Sequence, residues 1–140
     1  MVDIFDKTKR SQIMSKIKSK DTKPELYIRK KLFSLGFRYR LQKKINGTKP
    51  DIVLKKYKLC IFINGCFWHQ HSNCKFSYIP KTNKLFWEKK FQNNKNRDKK
   101  NYNILRNTGW RILVIWECYI RKNIIKNSDL IELIKGDIKF

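Results

Sequence analysis

The stretch PDIVLKKYKLCIFINGCFWHQHSNC, which runs from Pro50 to Cys74, decides the fold that this sequence predicts. Asp51 to Leu54 and Leu59 to Ile63 are short runs with β-branched residues, and the polar turn between them predicts two adjacent antiparallel strands. The loop from Asn64 to Pro80 has no hydrophobic period, and a loop of this length indicates either a functional segment or an internal staple. Together they predict a site beside a sheet.

A helix is predicted upstream of this stretch. Thr22 is its N-cap, Pro24 stands in its first turn, and Glu25 is the capping-box partner of Thr22. Gly36 ends the helix, because glycine favours the left-handed conformation that often follows a last turn. The apolar side of the helix is expected to consist of Leu26, Ile28, Leu32, Phe33 and Leu35.

Further strands and helices alternate along the rest of the chain. The hydrophobic pattern predicts a strand over 37–42, a long basic helix over 82–106, a strand buried on both faces over 110–116, and a last helix over 128–134. This order predicts an α/β fold with a mixed sheet flanked by helices. Residues 1–20 are rich in Lys and Arg and predict a basic N-terminal arm, which either packs on the rest of the chain or reaches outward to a partner, and this leaves 21–140 as the folded domain.

The composition indicates a folded, basic protein that binds a polyanion. The 140 residues include 34 Lys and Arg against 11 Asp and Glu, which gives a formal net charge of +23. Hydrophobic residues at 41% and aromatic residues at 14% exclude a disordered basic tail. No apolar run approaches the roughly 20 residues that cross a bilayer, and no secretory signal is visible. We therefore expect a bacterial-type cytoplasmic protein near the nucleoid, with no membrane partner and no disulfides.

The cysteines suggest a metal site. Cys66, His71 and Cys74 lie in the loop, and Cys118 follows the strand predicted over 110–116. Three Cys and one His suit a closed tetrahedral zinc site, which would staple the loop to the sheet. The alternative is a group of buried thiols without metal. Cys60 lies inside an apolar strand and is expected in the core.

Asp51 is the first candidate for catalytic chemistry. A strand start preceded by Pro50 holds its carboxylate rigidly, where it could bind Mg²⁺, although a lone aspartate here would be read as a turn residue. The following strand ends at Asn64, His69 comes shortly after, and Glu25 stands on the earlier helix. Carboxylate, backbone carbonyl and imidazole could then meet at one centre, where neutral His69 would act as general base. For Glu25 the capping box is the alternative role.

Two adjacent aromatic residues stand beside the predicted metal ligands. Phe67 and Trp68 either pack beneath the loop or wedge between base pairs and unstack them. Met14, in the basic arm, is either a second wedge or ordinary packing. Basic clusters at 7–20, 29–31 and 89–100 either contact DNA phosphates or form a solvated face. The net charge of +23 favours phosphate contacts, because unneutralised repulsion destabilises a compact chain.

Two motifs are highly specific in combination, namely GCFWH at 65–69 and WEC at 116–118. Further matches are Arg10–Ser11 with Met14, Asp21–Thr22 with Glu25, Pro50–Asp51, Ile61–Asn64, Phe86–Trp87, Arg97–Asp98, Gly109–Arg111 and Val114–Ile115. Over about residues 8 to 122, these motifs resemble the very-short-patch repair (Vsr) DNA mismatch endonuclease family. The resemblance implies a restriction-endonuclease-like fold, a structural zinc, and magnesium-dependent nicking of DNA beside the thymine of a T:G mismatch left by deamination of 5-methylcytosine.

The resemblance also implies roles for single residues. Asp51 and the backbone carbonyl of Ile63 would bind magnesium, His69 would be the base, and Glu25 would orient metal-bound water. Cys66, His71, Cys74 and Cys118 would bind zinc; Phe67, Trp68 and Met14 would enter the base stack; Asn64 and Asp98 would be supporting residues.

The chain departs from the family pattern at two places. Ile63-Asn64 stands where some members have Thr-His, so Asn64 can hydrogen-bond but cannot shuttle a proton at neutral pH. The segment between His71 and Cys74 is one residue longer than in some members.

The sequence as a whole predicts a monomeric, magnesium-dependent endonuclease that nicks double-stranded DNA at a T:G mismatch. One alternative is a Vsr-like nuclease or nickase that acts on unmismatched or modified DNA in defence. Another is a catalytically weak DNA-binding module, which the presence of Asp51, His69 and Glu25 disfavours.

Overall fold

The computed structural model describes residues 22–41 and 43–136, which form a four-stranded mixed sheet with helices. The strands are β1 (Arg40–Leu41), β2 (Ile52–Leu54), β3 (Leu59–Asn64) and β4 (Arg111–Trp116), and they neighbour one another in that order. The helices are α1 (Lys23–Ser34), α2 (Lys84–Asn107), α3 (Glu117–Arg121) and α4 (Asn127–Lys135), with a 3₁₀ turn at Lys55–Tyr57. The predicted α/β class is confirmed, and α3 is an additional helix that the hydrophobic pattern did not predict.

Helix α1 begins and ends where its sequence signals place its ends. The Thr22 hydroxyl accepts a hydrogen bond from the backbone N–H of Glu25 at 3.4 Å, and Gly36 follows the helix with φ of +90°. Its apolar side is narrower than predicted. Ile28 and Leu32 are fully buried, whereas Leu26 is 41% and Phe33 58% exposed, and the Arg38 guanidinium covers the Phe33 ring at 4.4 Å.

The first two strand pairs are antiparallel, as the sequence predicts, but β1 is much shorter than the predicted strand at 37–42. It pairs only through Arg40 with Val53 and Leu41 with Ile52. Strand β2 has only three residues, so it cannot form a longer ladder with β1. Pairing length is therefore set by the partner strand, and both residues of β1 are exposed at the sheet edge.

Strand β4 runs parallel to β3 along its whole length, from the pair Leu59 and Arg111 to the pair Asn64 and Trp116. It is an edge strand in the described part of the chain, and the prediction that it is buried on both faces was wrong. Leu113 and Ile115 are buried in the main core, while the face toward α2 is only half-buried. Because β3 and β4 are parallel, the segments that follow them leave the same edge of the sheet.

Two hydrophobic clusters lie on the two faces of the sheet. The larger one contains Ile28 and Leu32 of α1 and Leu130 and Ile134 of α4, and the smaller one contains Cys60 and Leu105. Cys60 is fully buried, as predicted. The described residues contain no helix long and apolar enough to cross a membrane.

One guanidinium group fastens α4 to the sheet. Arg111 donates hydrogen bonds to the backbone carbonyl oxygens of Tyr57, Leu133 and Ile134 at 2.5 to 3.2 Å. Two of these carbonyls belong to the last turn of α4, where backbone acceptors have no partner within the helix. The side chain therefore joins β4, the turn before β3 and the last helix.

Candidate active site and metal centre

A cleft of about 770 Å³ opens at the edge where β3 ends. The chain brings together there every catalytic candidate that the sequence predicted, from α1, β2, β3, the following loop and α2. The lining residues that the argument uses are Glu25, Asp51, Ile63, Asn64, Phe67, Trp68, His69 and Asp98.

Asp51 is fixed at the entrance to β2 by its neighbours on β3. Its backbone N–H donates to the Ile61 carbonyl at 3.1 Å, and its Oδ2 accepts from the Ile63 N–H at 2.8 Å. The N–H and C=O groups of one strand residue project to the same side, so the Ile63 carbonyl also faces Asp51. Carboxylate and carbonyl oxygens are the ligands that Mg²⁺ prefers, and this donor set fits that ion.

Burial raises the pKa of Asp51 above its ordinary value of 3.8. The Ile63 N–H, hydrogen bonding with Glu25, and the charges of His69 and Arg29 oppose this rise without cancelling it. The charge on the carboxylate is therefore incompletely compensated in the metal-free cleft, which favours the binding of a cation.

The Glu25 side chain makes contacts that a capping role would not explain. Glu25 is buried, with 4% of the residue exposed. Its Oε2 lies 3.1 Å from Nη2 of Arg29, which stands one helical turn further along α1. Its carboxyl also hydrogen-bonds with Asp51. The Thr22 hydroxyl supplies the cap, so capping does not account for all the contacts of the Glu25 side chain.

His69 forms a pair with Asp98 of α2, with Nδ1 and Oδ2 2.5 Å apart. The backbone N–H of His69 donates to the Gly65 carbonyl at 3.1 Å, which holds the start of the loop in a turn. With Nδ1 engaged by a carboxylate, a neutral imidazole keeps Nε2 available to accept a proton. A histidine oriented in this way has the arrangement that general bases require.

The polar middle of α2 supports this loop. Asn94, which is 8% exposed, donates from Nδ2 to the Trp68 carbonyl at 2.9 Å, and Asp98 lies one turn further on. Arg97 donates to Oδ1 of Asn94 at 2.7 Å and so fixes the amide. The middle of the helix is polar because it holds two consecutive loop residues through side chains one turn apart.

Asn64, at the end of β3, contacts the same helix. Its Nδ2 donates to the Tyr102 hydroxyl at 3.1 Å, and the Tyr102 ring meets Phe62 edge to face at 5.0 Å between centroids. Burial raises the pKa of Tyr102 to about 12, so the phenol stays protonated. Asn64 is thus a hydrogen-bonding residue at the boundary of the cleft.

The four predicted zinc ligands form one cluster. The ligand atoms of Cys66, His71, Cys74 and Cys118 all lie within 4.8 Å of one another, with His71 Nδ1 3.5 Å from Cys118 Sγ. Three sulfur atoms and one imidazole nitrogen at this spacing fit a tetrahedral zinc ion. The additional residue before Cys74 does not prevent this geometry, because Asn73 adopts φ of +56° and turns the chain back.

The surroundings of His71 favour its role as a ligand. Its ring stacks on Trp116 at 4.1 Å between centroids and meets Tyr119 edge to face. Burial lowers the pKa of His71, so the imidazole is neutral, which is the form that binds metal. Burial also raises the pKa of the Cys66 thiol to about 12 in the metal-free protein.

Phe67 and Trp68 lie in an aromatic cluster at the mouth of the cleft. The Phe67 ring meets Trp68, Trp87 and Phe91 at 5.1 to 5.5 Å between centroids. Both residues are only half-buried, and Lys90 lies over the Trp68 ring at 5.5 Å. Phe67 and Trp68 therefore both pack against other aromatic rings and remain partly exposed to solvent. Met14 and the predicted arm at 1–20 lie outside the described residues.

A family model described as "DNA mismatch endonuclease Vsr" matches residues 2–75. The chain belongs to the Vsr family. A DNA mismatch endonuclease Vsr of Escherichia coli is 37% identical over 86% of this chain and 77% of its own length. A type II nicking enzyme of Neisseria meningitidis, V.NmeAIP, is 48% identical over 96% of both chains. This Vsr-family protein is therefore a DNA endonuclease.

A solved structure supports the fold. The catalytic domain of the homing endonuclease I-Bth0305I superposes with a TM-score of 0.57 and 21% identity, over 85% of this chain and all of that one.

The sequence did not indicate some of the contacts at this Vsr-family site. Arg29 was assigned to the basic cluster at 29–31, but it is 7% exposed and paired with Glu25, so it is not part of a solvated face. A Glu and an Arg four residues apart occur on many helix surfaces, so their spacing alone did not indicate a buried pair. Tyr102 is far from Asn64 along the chain, and only the packing of α2 on β3 brings them together.

Proposed function

We propose that this protein is a magnesium-dependent endonuclease that nicks one DNA strand next to the thymine of a T:G mismatch. The observation that carries the proposal is the meeting, in one cleft, of the Asp51 and Glu25 carboxylates with a His69 held by Asp98. Membership of the Vsr family supports the mismatch as the substrate.

Asp51 and the Ile63 carbonyl would hold magnesium. When bound, that ion would neutralise phosphate charge and lower the pKa of a coordinated water. His69 accepts the proton of the attacking water at Nε2, and Asp98 keeps the ring in the required tautomer and stabilises the imidazolium. Glu25 orients the water, and Asn64 offers a hydrogen bond at the cleft wall.

The zinc ligands would position the catalytic loop. Cys66 and His71 lie on either side of the segment that contains Phe67, Trp68 and His69. A zinc ion bound by these residues and by Cys118 ties the loop to the segment after β4. The wedge residues and the base would then be ordered before DNA binds.

Selectivity would come from Phe67 and Trp68. Unstacking a base step costs a few kcal/mol and costs less at a mismatch, so aromatic wedges bind weakly paired steps preferentially. The basic surface adds affinity for any duplex but no such discrimination. Met14 of the arm is proposed as a second wedge.

The test is a nicking assay on one oligonucleotide duplex that carries T:G, C:A or T:A at a single position, with limiting enzyme. We expect nicking beside the thymine of T:G and a much slower reaction on the other two. Asp51→Ala and His69→Ala should abolish cleavage while binding to the same duplex persists. Equal cleavage of T:G and T:A by the wild type would overturn mismatch specificity.

The second candidate is a nuclease that nicks unmismatched or modified DNA in defence. The similarity to the type II nicking enzyme V.NmeAIP, at 48% identity, favours keeping it. The same assay with a methylated duplex added separates the two functions, because only the defence nuclease would cut fully paired or methylated duplex efficiently.

A further inference from the structure

Arg29 lies behind the candidate magnesium site rather than in it. It stands on the buried side of α1, 7% exposed, with Nη2 3.1 Å from Oε2 of Glu25. It is not among the residues that line the cleft, whereas Glu25 and Asp51 both are. A side chain in this position does not reach substrate and acts only through its neighbours.

The charges around Arg29 explain why a cation is needed there. Glu25 and Asp51 hydrogen-bond with each other, and both are removed from water to a large extent. Two carboxylates in such a place repel each other when both are ionised. Arginine stays charged at every physiological pH, so Arg29 is a permanent positive charge beside the pair.

We propose that Arg29 is a positioning residue that serves as a resident counter-cation for the Glu25–Asp51 pair. It keeps both carboxylates in place before a divalent cation binds, and its charge weakens the binding of that cation in the absence of DNA. The inference rests on the proposed role of Asp51 as a metal ligand.

Two opposite effects follow on removal of the positive charge. Without a bound metal the protein loses stability, because the positive charge beside the buried Glu25 carboxylate is removed. Affinity for a divalent cation rises, because the ion no longer experiences repulsion from a nearby guanidinium. A purely structural role for Arg29 predicts the first effect without the second.

The experiment is thermal unfolding of the full chain without DNA, in magnesium-free buffer and across a magnesium series, with the zinc content of every variant measured. We expect Arg29→Met to melt lower than the wild type without magnesium and to gain more from magnesium. Its half-saturating magnesium concentration should be about tenfold lower, the modest end of the effect of a unit charge a few ångströms from the ion. Arg29→Lys keeps the charge and should behave nearly as the wild type does.

Three further variants make the result specific. Lys30→Met removes the same charge from the exposed neighbouring position and should change neither quantity. The double variant Glu25→Gln with Arg29→Met should recover melting temperature relative to Arg29→Met alone, because it leaves no charged carboxylate at position 25 that lacks a neighbouring positive charge. Asp51→Asn should abolish the response to magnesium.

The outcomes separate the inference from the proposed function. Equal loss of melting temperature at every magnesium concentration in Arg29→Met, or additive effects in the double variant, would overturn the inference. An unchanged magnesium response in Asp51→Asn would overturn Asp51 as a ligand, and with it the site assigned in the proposed function.

Discussion

The Asp51 carboxylate is removed from water, and this burial opposes its ionisation. Because burial raises its pKa, the folded chain holds the proton more tightly than the unfolded chain does. The contribution of protonated Asp51 to the free energy of unfolding is complete below its ordinary pKa of 3.8. It is lost as pH rises through the raised pKa of the folded state. We predict that Asp51→Asn melts at a higher temperature than the wild type at neutral pH in magnesium-free buffer.

The gain should disappear as the pH is lowered through the range in which Asp51 becomes protonated. Melting curves of both proteins, from about pH 4 to about pH 8, measure it. Magnesium should also reduce the difference at neutral pH, by stabilising only the wild type. A constant difference at every pH would contradict the assigned burial cost.

We propose that Asp98, which contacts His69, acts on the reaction through it. Asp98→Asn keeps the shape but removes the charge that stabilises the imidazolium, and we predict a fall in kcat of about 10²- to 10⁴-fold with little change in DNA affinity. Single-turnover nicking and fluorescence anisotropy on one duplex would measure the two quantities. Asp129→Asn, an exposed carboxylate in the first turn of α4, is the matched control and should be neutral.

At the residue level, the sequence revealed those groups that belong to a compact motif. Asp51, His69 and the four proposed zinc ligands could be named as candidates because of their residue types and the motifs that contain them, and the structure places them in one cleft and one cluster. Arg29, Asn94 and Tyr102 could not be found in this way, since their importance comes from contacts made across the fold.

The loop between Cys66 and His71 contains the proposed general base, His69, and the proposed wedge residues, Phe67 and Trp68. We predict about one zinc per chain in purified protein, and Cys118→Ala should lower both zinc content and melting temperature, since closed zinc sites contribute folding free energy. Metal analysis and thermal unfolding measure these quantities. Cys60→Ala is the control, because Cys60 is buried outside the cluster and should keep its metal content.

The Arg111 side chain joins helix α4 to the sheet, in addition to the core contacts of Leu130 and Ile134. Arg111→Met removes three hydrogen bonds to backbone carbonyls, and we predict a loss of about 2 to 4 kcal/mol in the free energy of unfolding. Urea unfolding gives the value, with Arg106→Met on the exposed surface of α2 as the control. A loss no larger than that of the control would show that water replaces the guanidinium.

At the level of elements, local sequence signals located helix ends correctly, whereas the length and position of strands could not be predicted from them. The caps of α1 and the turn after it follow from Thr22, Pro24 and Gly36, so the helix was located correctly. The length of β1 and the edge position of β4 depend on which strands lie beside them, and no local pattern specifies that.

For the whole molecule, the effect of the net charge on binding should be separable from the effect of the proposed Trp68 wedge on cleavage. The formal charge of +23 predicts that affinity for ordinary duplex falls steeply with salt, with a log–log slope of about −0.9 for each phosphate neutralised. We predict that Trp68→Ala leaves this slope unchanged but reduces nicking at T:G by at least about tenfold, since a base step costs a few kcal/mol to open. Salt titrations of binding to both the T:A and the T:G duplex, together with nicking rates on the T:G duplex, would test this.

An equal loss of affinity for both duplexes would show that Trp68 serves general binding instead.

Composition alone was enough to predict a polyanionic partner, because charge is a property of the whole chain. Family motifs, in contrast, were needed to predict the mismatch.

The described residues place the catalytic candidates in a single cleft at one end of a parallel strand pair. A duplex has two strands of opposite polarity, so a chain with one such centre can attack one phosphodiester for each orientation in which it binds. For one chain acting alone, breaking both strands would require release, a turn through 180° and a second encounter. The intact strand meanwhile keeps the two ends aligned, and the hydroxyl at the break remains paired to a template.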